Sequence, residues 1–394
     1  MAGATALRFP FDFGAHPETR TEWWYVTGTL QAQARHYGFQ VTFFRASTGL
    51  AASSPSRFAA RQLVFAHAAL TDLDARRQRH DQRIARSGFG VAQARIGDTG
   101  LRLHDWHLVR EDRDRAAQSA TTTTHRAATA TAEVNANGTS TSPAARTGTP
   151  TVAAANSHTG LSPVPAPASN KQRPHSRYRT QIASASAGFR FDLVIDATQP
   201  LLLQGEAGLS RKGPRPEQTS RYYSEPQLAV RGTLTLDGRA APVQGRAWLD
   251  HEWSDAFLDR DAVGWDWIGM NLDDGGALTA FRLRRADGSP LYAGGSFRPA
   301  GGAVRNFTSD EVHFTPLRLW QSPASQARYP VQWRIDTPAG RFGVAALLDD
   351  QELDSRASTG AIYWEGLSEL RNAQGQRIGQ GYLELTGYAG ALRL

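Results

Sequence analysis

Residues 248–257 read WLDHEWSDAF, so Asp250, His251, Glu252 and Trp253 put two acids, an imidazole and an indole into one short run. Strand alternation would send Trp248, Asp250 and Glu252 to one face and Leu249, His251 and Trp253 to the other. Two further runs share this make-up. TEWWYVTGTL, residues 21–30, sets Glu22 beside Trp23, Trp24 and Tyr25. WDW, residues 265–267, sets Asp266 between Trp265 and Trp267, with both indoles on the face opposite the acid. The plain reading of any one run is core aromatics with a turn or solvated acid. Three runs of the same kind weaken it, because carboxylates among indoles are costly to bury without partners.

Burial can raise a carboxyl pKa by several units and keep it protonated near neutrality. Indole faces stabilise a cation by roughly 0.5–2 kcal/mol each. An acid beside such rings could protonate an alkene, shelter the tertiary cation and let water add to it. Asp250, Glu252 and Asp266 are the candidate proton donors, in no order, and His251 is the candidate for orienting the donor or the water. Trp253, Trp23 and Trp24 are candidate walls, and Glu22, Tyr25, Trp265 and Trp267 complete the ligand-binding set.

Other chemistries lack their residues. His251-Glu252 opens like a zinc-protease helix, but the position for the second histidine holds Asp255 and the surroundings are strand-like. His104 and His107 could reach one metal only from a helix or turn. There is no G-x-S-x-G, and neither lysine, Lys171 or Lys212, follows a glycine as in a phosphate loop. The absence of cysteine excludes disulfides, thiolate zinc and a cysteine nucleophile, and fits either redox compartment. No cofactor and no metal are expected.

The elements that must position these residues are strands. Residues 22–30 and 37–45 pair as a hairpin whose Tyr37, Phe39, Val41 and Phe43 share a face that must be covered. GFRFDLVIDA, 188–197, alternates Phe191, Leu193 and Ile195 against Asp192, Val194 and Asp196. Asp237-Gly238, Asp274-Gly275-Gly276 and Asp287-Gly288 separate apolar runs as hairpin turns do. No long stretch keeps a helical period, so the expected fold is mostly antiparallel β, closed into barrels that hide strand edges.

At 394 residues the chain is long enough for two domains. From about Ala116 to Arg177 it is mostly Ala, Thr, Ser, Pro, Asn and Gly, which predicts a disordered insertion. That segment carries net +4 and leaves only +3 of the formal +7 elsewhere, which withdraws the electrostatic case for a nucleic-acid partner. No apolar run approaches the roughly 18 residues of a membrane span, and no signal pattern follows Met1, so neither stable membrane insertion nor a leader is expected in this chain.

DFGAHPETRTEWWYVTG (12–28), FQVTFFR (39–45), WLDHEWS (248–254), WDWIGMNLDDG (265–275), YWEG (363–366) and GYLELTGY (381–388) together resemble the AttH and carotenoid 1,2-hydratase family, also called hydroxyneurosporene synthase-like proteins or predicted secreted hydrolases. EWWYVTG is most similar to the AttH-like branch. The resemblance implies two tandem lipocalin-like β-barrel domains, 1–255 with the insertion and 256–394. It also implies a cavity-based activity on apolar molecules, since the named enzymes hydrate a terminal double bond of acyclic carotenoids. A periplasmic or secreted location follows from the resemblance, a cytoplasmic one from the missing leader.

Two functions are then in play. One is a hydro-lyase acting on an isoprenoid, polyene or lipid-like molecule in a barrel cavity. The other is a non-catalytic carrier of such a ligand, whose carboxylates pair with Arg20, Arg45 or Arg246. Contact with an export system is a third role, for which the sequence shows no amphipathic anchor. Oligomeric state is not legible.

Overall fold

The computed structural model describes residues 6–50, 56, 58–112, 176–256 and 258–392. The expected insertion lies outside these residues except at its end, where Ser176 and Arg177 already belong to the strand Ser176–Ser184. Among the described residues the chain is almost entirely antiparallel β, its helical content two single turns at Phe11–Phe13 and Ser309–Glu311. No helix among them is long and apolar enough to cross a membrane.

The strands form two sheets. The first has 13 strands, and its central run places Gln62–Asp72, Arg35–Ser47, Thr21–Ala32, Arg239–Ser254, Thr219–Leu236 and Phe189–Asp196 side by side. It rolls into a nearly closed barrel, bringing the strands at its two ends near one another. The second has 10 strands, with Ala277–Arg284, Gly264–Leu272, Arg377–Leu385 and Ala361–Arg371 at its centre. The changeover falls between Ser254 and Gly264. Asp237 and Gly238, with φ of +49° and +79°, close the hairpin between Thr219–Leu236 and Arg239–Ser254, the positive-φ pair that a two-residue Asp-Gly hairpin turn requires.

Each sheet fills its own interior. Tyr37, Phe39, Val41 and Phe43 are buried in the first barrel with Phe191, Leu193 and Ile195, as their alternation anticipates. Ile268, Met270, Trp333, Trp364 and Leu383 form the corresponding cluster of the second sheet. A third cluster, including Tyr25, Trp248, Trp267, Phe281 and Tyr382, is drawn from both sheets, so the outer face of one is packed on the outer face of the other. Buried hydrogen bonds cross this seam: Gln227 N–H donates to Asn271 Oδ1 at 2.8 Å, and Gln204 Nε2 donates to Thr279 Oγ1 at 3.1 Å.

Candidate functional site

Register decides which side chains meet. Across Thr21–Ala32 and Arg239–Ser254, Trp23 faces Glu252 and Tyr25 faces Asp250, while Glu22 faces Trp253 and Trp24 faces His251. Opposed residues on an antiparallel pair share a face. Trp23, Tyr25, Asp250 and Glu252 therefore point outward to the second sheet, and Glu22, Trp24, His251 and Trp253 point into the first barrel. On the second sheet Trp267 opposes both Phe281 and Glu384, and Glu384 opposes Glu365, so these share the face that looks back.

A cavity of about 300 Å³ opens between these faces. Its walls include Trp23, Tyr25, Phe44, Trp265, Trp267 and Phe281, and its polar groups include Lys212, Tyr222, Asp250, Glu252, Glu365 and Glu384. This cavity lies between the two sheets, while buried side chains cluster within the interior of each sheet.

Asp250 sits among three donors: Ser224 Oγ at 2.5 Å and Trp248 Nε1 at 2.8 Å to Oδ1, and Tyr222 Oη at 2.9 Å to Oδ2. Burial raises its pKa to about 7, against the opposing pull of those hydrogen bonds. Glu252 pairs with Lys212 Nζ at 2.8 Å and accepts a hydrogen bond from Ser220, yet burial still pushes its carboxyl above the ordinary value. The Lys212 ammonium also lies 4.6 Å from the Tyr222 ring centroid and 4.5 Å from that of Phe281.

Glu365 and Glu384, which the sequence reading passed over, add two more acids. Burial raises Glu384 to about 7, and burial together with the charge of Glu384 holds Glu365 well above the carboxylate range. Their signal was present in the sequence as Tyr363-x-Glu365 and Tyr382-x-Glu384, the same aromatic-x-acid spacing as Trp248-x-Asp250. His67, also on the wall, is 2.8 Å from both Tyr363 Oη and Ser358 Oγ, and burial lowers its pKa to about 3, so it is neutral.

Glu22 belongs to a different assembly, although part of it reaches the cavity wall. Its carboxylate accepts from His16 Nδ1 at 2.8 Å, His251 Nε2 at 2.9 Å and Arg45 Nε at 2.7 Å. Burial pushes Glu22 up, but the bonds and charges of His16 and His251 outweigh it and hold the carboxyl at about 2. His16 is depressed by burial and raised further by Asp12 and Glu22, reaching about 9, whereas burial takes His251 down to about 4. The rings stack: His16 on Trp253 at 3.8 Å and 8°, and Trp24 on His251 at 4.4 Å and 19°. His16, Glu22 and His251 offer potential metal-ligand atoms within 4.8 Å of one another. Arg45 and the imidazole bonds already engage the carboxylate oxygens, and a protonated His16 offers no lone pair, so the residues fit an ion-pair network better than a metal.

The candidate residues therefore divide. Asp250, Glu252, Trp23, Tyr25, Trp265 and Trp267 meet at the cavity. His251, Trp24 and Trp253 lie on the opposite face of their strands, so His251 is turned away from the acids it was expected to orient. Asp266 is fully buried on the far face of its strand, bound by Arg282 Nε at 2.6 Å, Arg284 Nε at 3.1 Å and Tyr388 Oη at 2.8 Å, and is absent from the cavity wall.

The AttH-like family model matches residues 1–160 and 144–388. The chain belongs to the AttH-like family. An AttH protein of Nitrosomonas europaea shares 42% identity and superposes with a TM-score of 0.76, with 98% of each chain covered. A kievitone hydratase of Fusarium solani subsp. phaseoli is 24% identical over 201 residues, which is 49% of this chain and about half, 55%, of that enzyme's length. The structure of a kievitone hydratase from Nectria haematococca covers 98% of this AttH-like chain at 14% identity and a TM-score of 0.63, a likeness of fold.

Proposed function

We propose that this protein is a hydratase that adds water across a carbon–carbon double bond of an apolar small molecule held between its two sheets. The observation that carries the reading is a carboxyl, Asp250, whose pKa is near 7 in a cavity walled by Trp23, Trp265 and Trp267. A general acid works best when its pKa lies near the operating pH. Similarity to a kievitone hydratase supports the same reaction class.

Asp250 gives its proton to one alkene carbon and the other becomes a tertiary cation facing the indoles. Water adds to that carbon and passes its surplus proton to the ionised member of the Glu365–Glu384 pair. Return of that proton to Asp250 completes a cycle that consumes one water. Glu252, paired with Lys212, keeps a fixed charge pair beside the reacting centre.

Incubating the protein with kievitone, geraniol and lycopene, then weighing the extracted compounds, tests this reading. Gain of one water by at least one of them is expected. Bound compounds that all return unchanged would instead make the protein a carrier.

A further inference from the structure

Tyr25 Oη and Glu365 Oε1 are buried side-chain atoms with no hydrogen-bonding partner, and both residues line the cavity. Tyr25 is 7% exposed and Glu365 2%. They come from different sheets, Thr21–Ala32 and Ala361–Arg371, so the seam itself brings them together. They are close enough for each to shift the other's titration through charge and a weak mutual contact, yet the two atoms do not reach full hydrogen-bond geometry. A buried donor or acceptor left unpaired costs about 1–3 kcal/mol, and most such groups in folded proteins have a partner. The rest of the wall mixes aromatic rings with polar groups such as Asp250, Glu252 and Lys212 that are bonded to one another or to neighbours, so Tyr25 Oη and Glu365 Oε1 stand out among the described wall residues as buried atoms lacking a full hydrogen bond.

We infer that the natural ligand carries a hydroxyl group, alcohol or phenol, which bonds to both Tyr25 Oη and Glu365 Oε1 from the cavity side. A hydroxyl suits the pair because it both donates and accepts, matching a phenol and a carboxyl at once. A pure hydrocarbon would leave both atoms unpaired. Sites built to bond a ligand hydroxyl discriminate strongly against the analogue lacking it. The inference rests on the inter-sheet cavity being the ligand site proposed above, and it narrows the substrate class from apolar to hydroxyl-bearing.

The test is a binding comparison read from intrinsic tryptophan fluorescence, using geraniol and the hydrocarbon of the same skeleton, 2,6-dimethyl-2,6-octadiene, on the wild-type protein and Tyr25→Phe. The wild type should bind geraniol at least roughly ten-fold more tightly. Tyr25→Phe should lose most of that preference while binding the hydrocarbon as before, and its melting temperature should not fall, since the removed hydroxyl makes no full hydrogen bond within the protein. Equal wild-type affinities, a preference that survives in Tyr25→Phe, or a melting temperature lowered by the substitution would overturn the inference. Preference for the alcohol without any gain of water would leave this inference standing and count against the hydratase reading alone. Failure of both probes to bind would overturn both.

Discussion

Glu365 lies directly opposite Glu384 on neighbouring antiparallel strands, facing the cavity rather than solvent. Like charges at such a pair destabilise a sheet, and burial makes their joint ionisation costlier still. The pair therefore keeps at least one proton over the range where isolated carboxyls are ionised, and its titration belongs to both groups together. That gives the cavity a proton acceptor and a proton store in one place, on the sheet that faces Asp250.

Glu384→Gln should reduce the loss of stability on raising the pH. Glu384 titrates at about 7 in the folded protein against an ordinary 4.5. Its contribution is fully present below 4.5 and is lost as the pH rises through 7. Denaturant unfolding at pH 5 and pH 8 should show the wild type losing roughly 1–3 kcal/mol more than the variant across that interval. Equal losses would show that the carboxyl is not strained.

Glu22→Gln should destabilise the fold by roughly 3–5 kcal/mol, because it leaves Arg45 buried without its carboxylate and a protonated His16 with Asp12 alone. The pH dependence has a sign. His16 is raised from 6.5 to about 9, so the stability from its bond to Glu22 is full below 6.5 and is lost as the pH rises through 9. Glu22, depressed from 4.5 to about 2, contributes stability that is full above 4.5 and is lost as the pH falls through 2. The cost of the substitution should peak between these limits and shrink toward pH 9, as chemical denaturation across that range would reveal.

Asp250→Asn should lower turnover of any hydrated substrate by roughly 10²–10⁴-fold while leaving its binding within a few-fold. In the wild type, kcat should pass through a maximum near pH 7, since Asp250 must be protonated to act while the Glu365–Glu384 pair must have an ionised member to take the surplus proton. An asparagine variant that keeps the wild-type rate would remove Asp250 from the chemistry.

Asp266→Asn should separate stability from function. Arg282 and Arg284 would lose their anionic partner, and the melting temperature should drop by several degrees. Affinity for geraniol should stay within a few-fold, because Asp266 lies off the cavity wall. A large loss of binding with an unchanged melting temperature would reverse that assignment.

The period-2 pattern made the strands and their two faces legible. It placed Tyr37, Phe39, Val41 and Phe43 together and separated Asp250 from His251 before any coordinates. It carried no information on which face meets another sheet. Asp250 and His251 are neighbours in sequence with similar surroundings, yet one faces the seam and the other the barrel interior. That difference depends on pairings such as Glu22 with Trp253, more than 200 positions apart in the chain. For the same reason Asp266 resembled the cavity acids in sequence, while Arg282 and Arg284, a hairpin away, hold it elsewhere. Glu365 and Glu384 were visible as acids two places from a tyrosine, but their opposition across a strand pair was not.

Asp250 stands or falls as the proton donor on whether a substantial fraction of it stays protonated at neutral pH among the indole rings. Carbon-13 NMR of protein labelled at aspartate side-chain carboxyls, with Asp250→Asn identifying the resonance, measures this directly. The Asp250 carboxyl should titrate near pH 7. A midpoint near 4, the ordinary value for an aspartate in water, would contradict it.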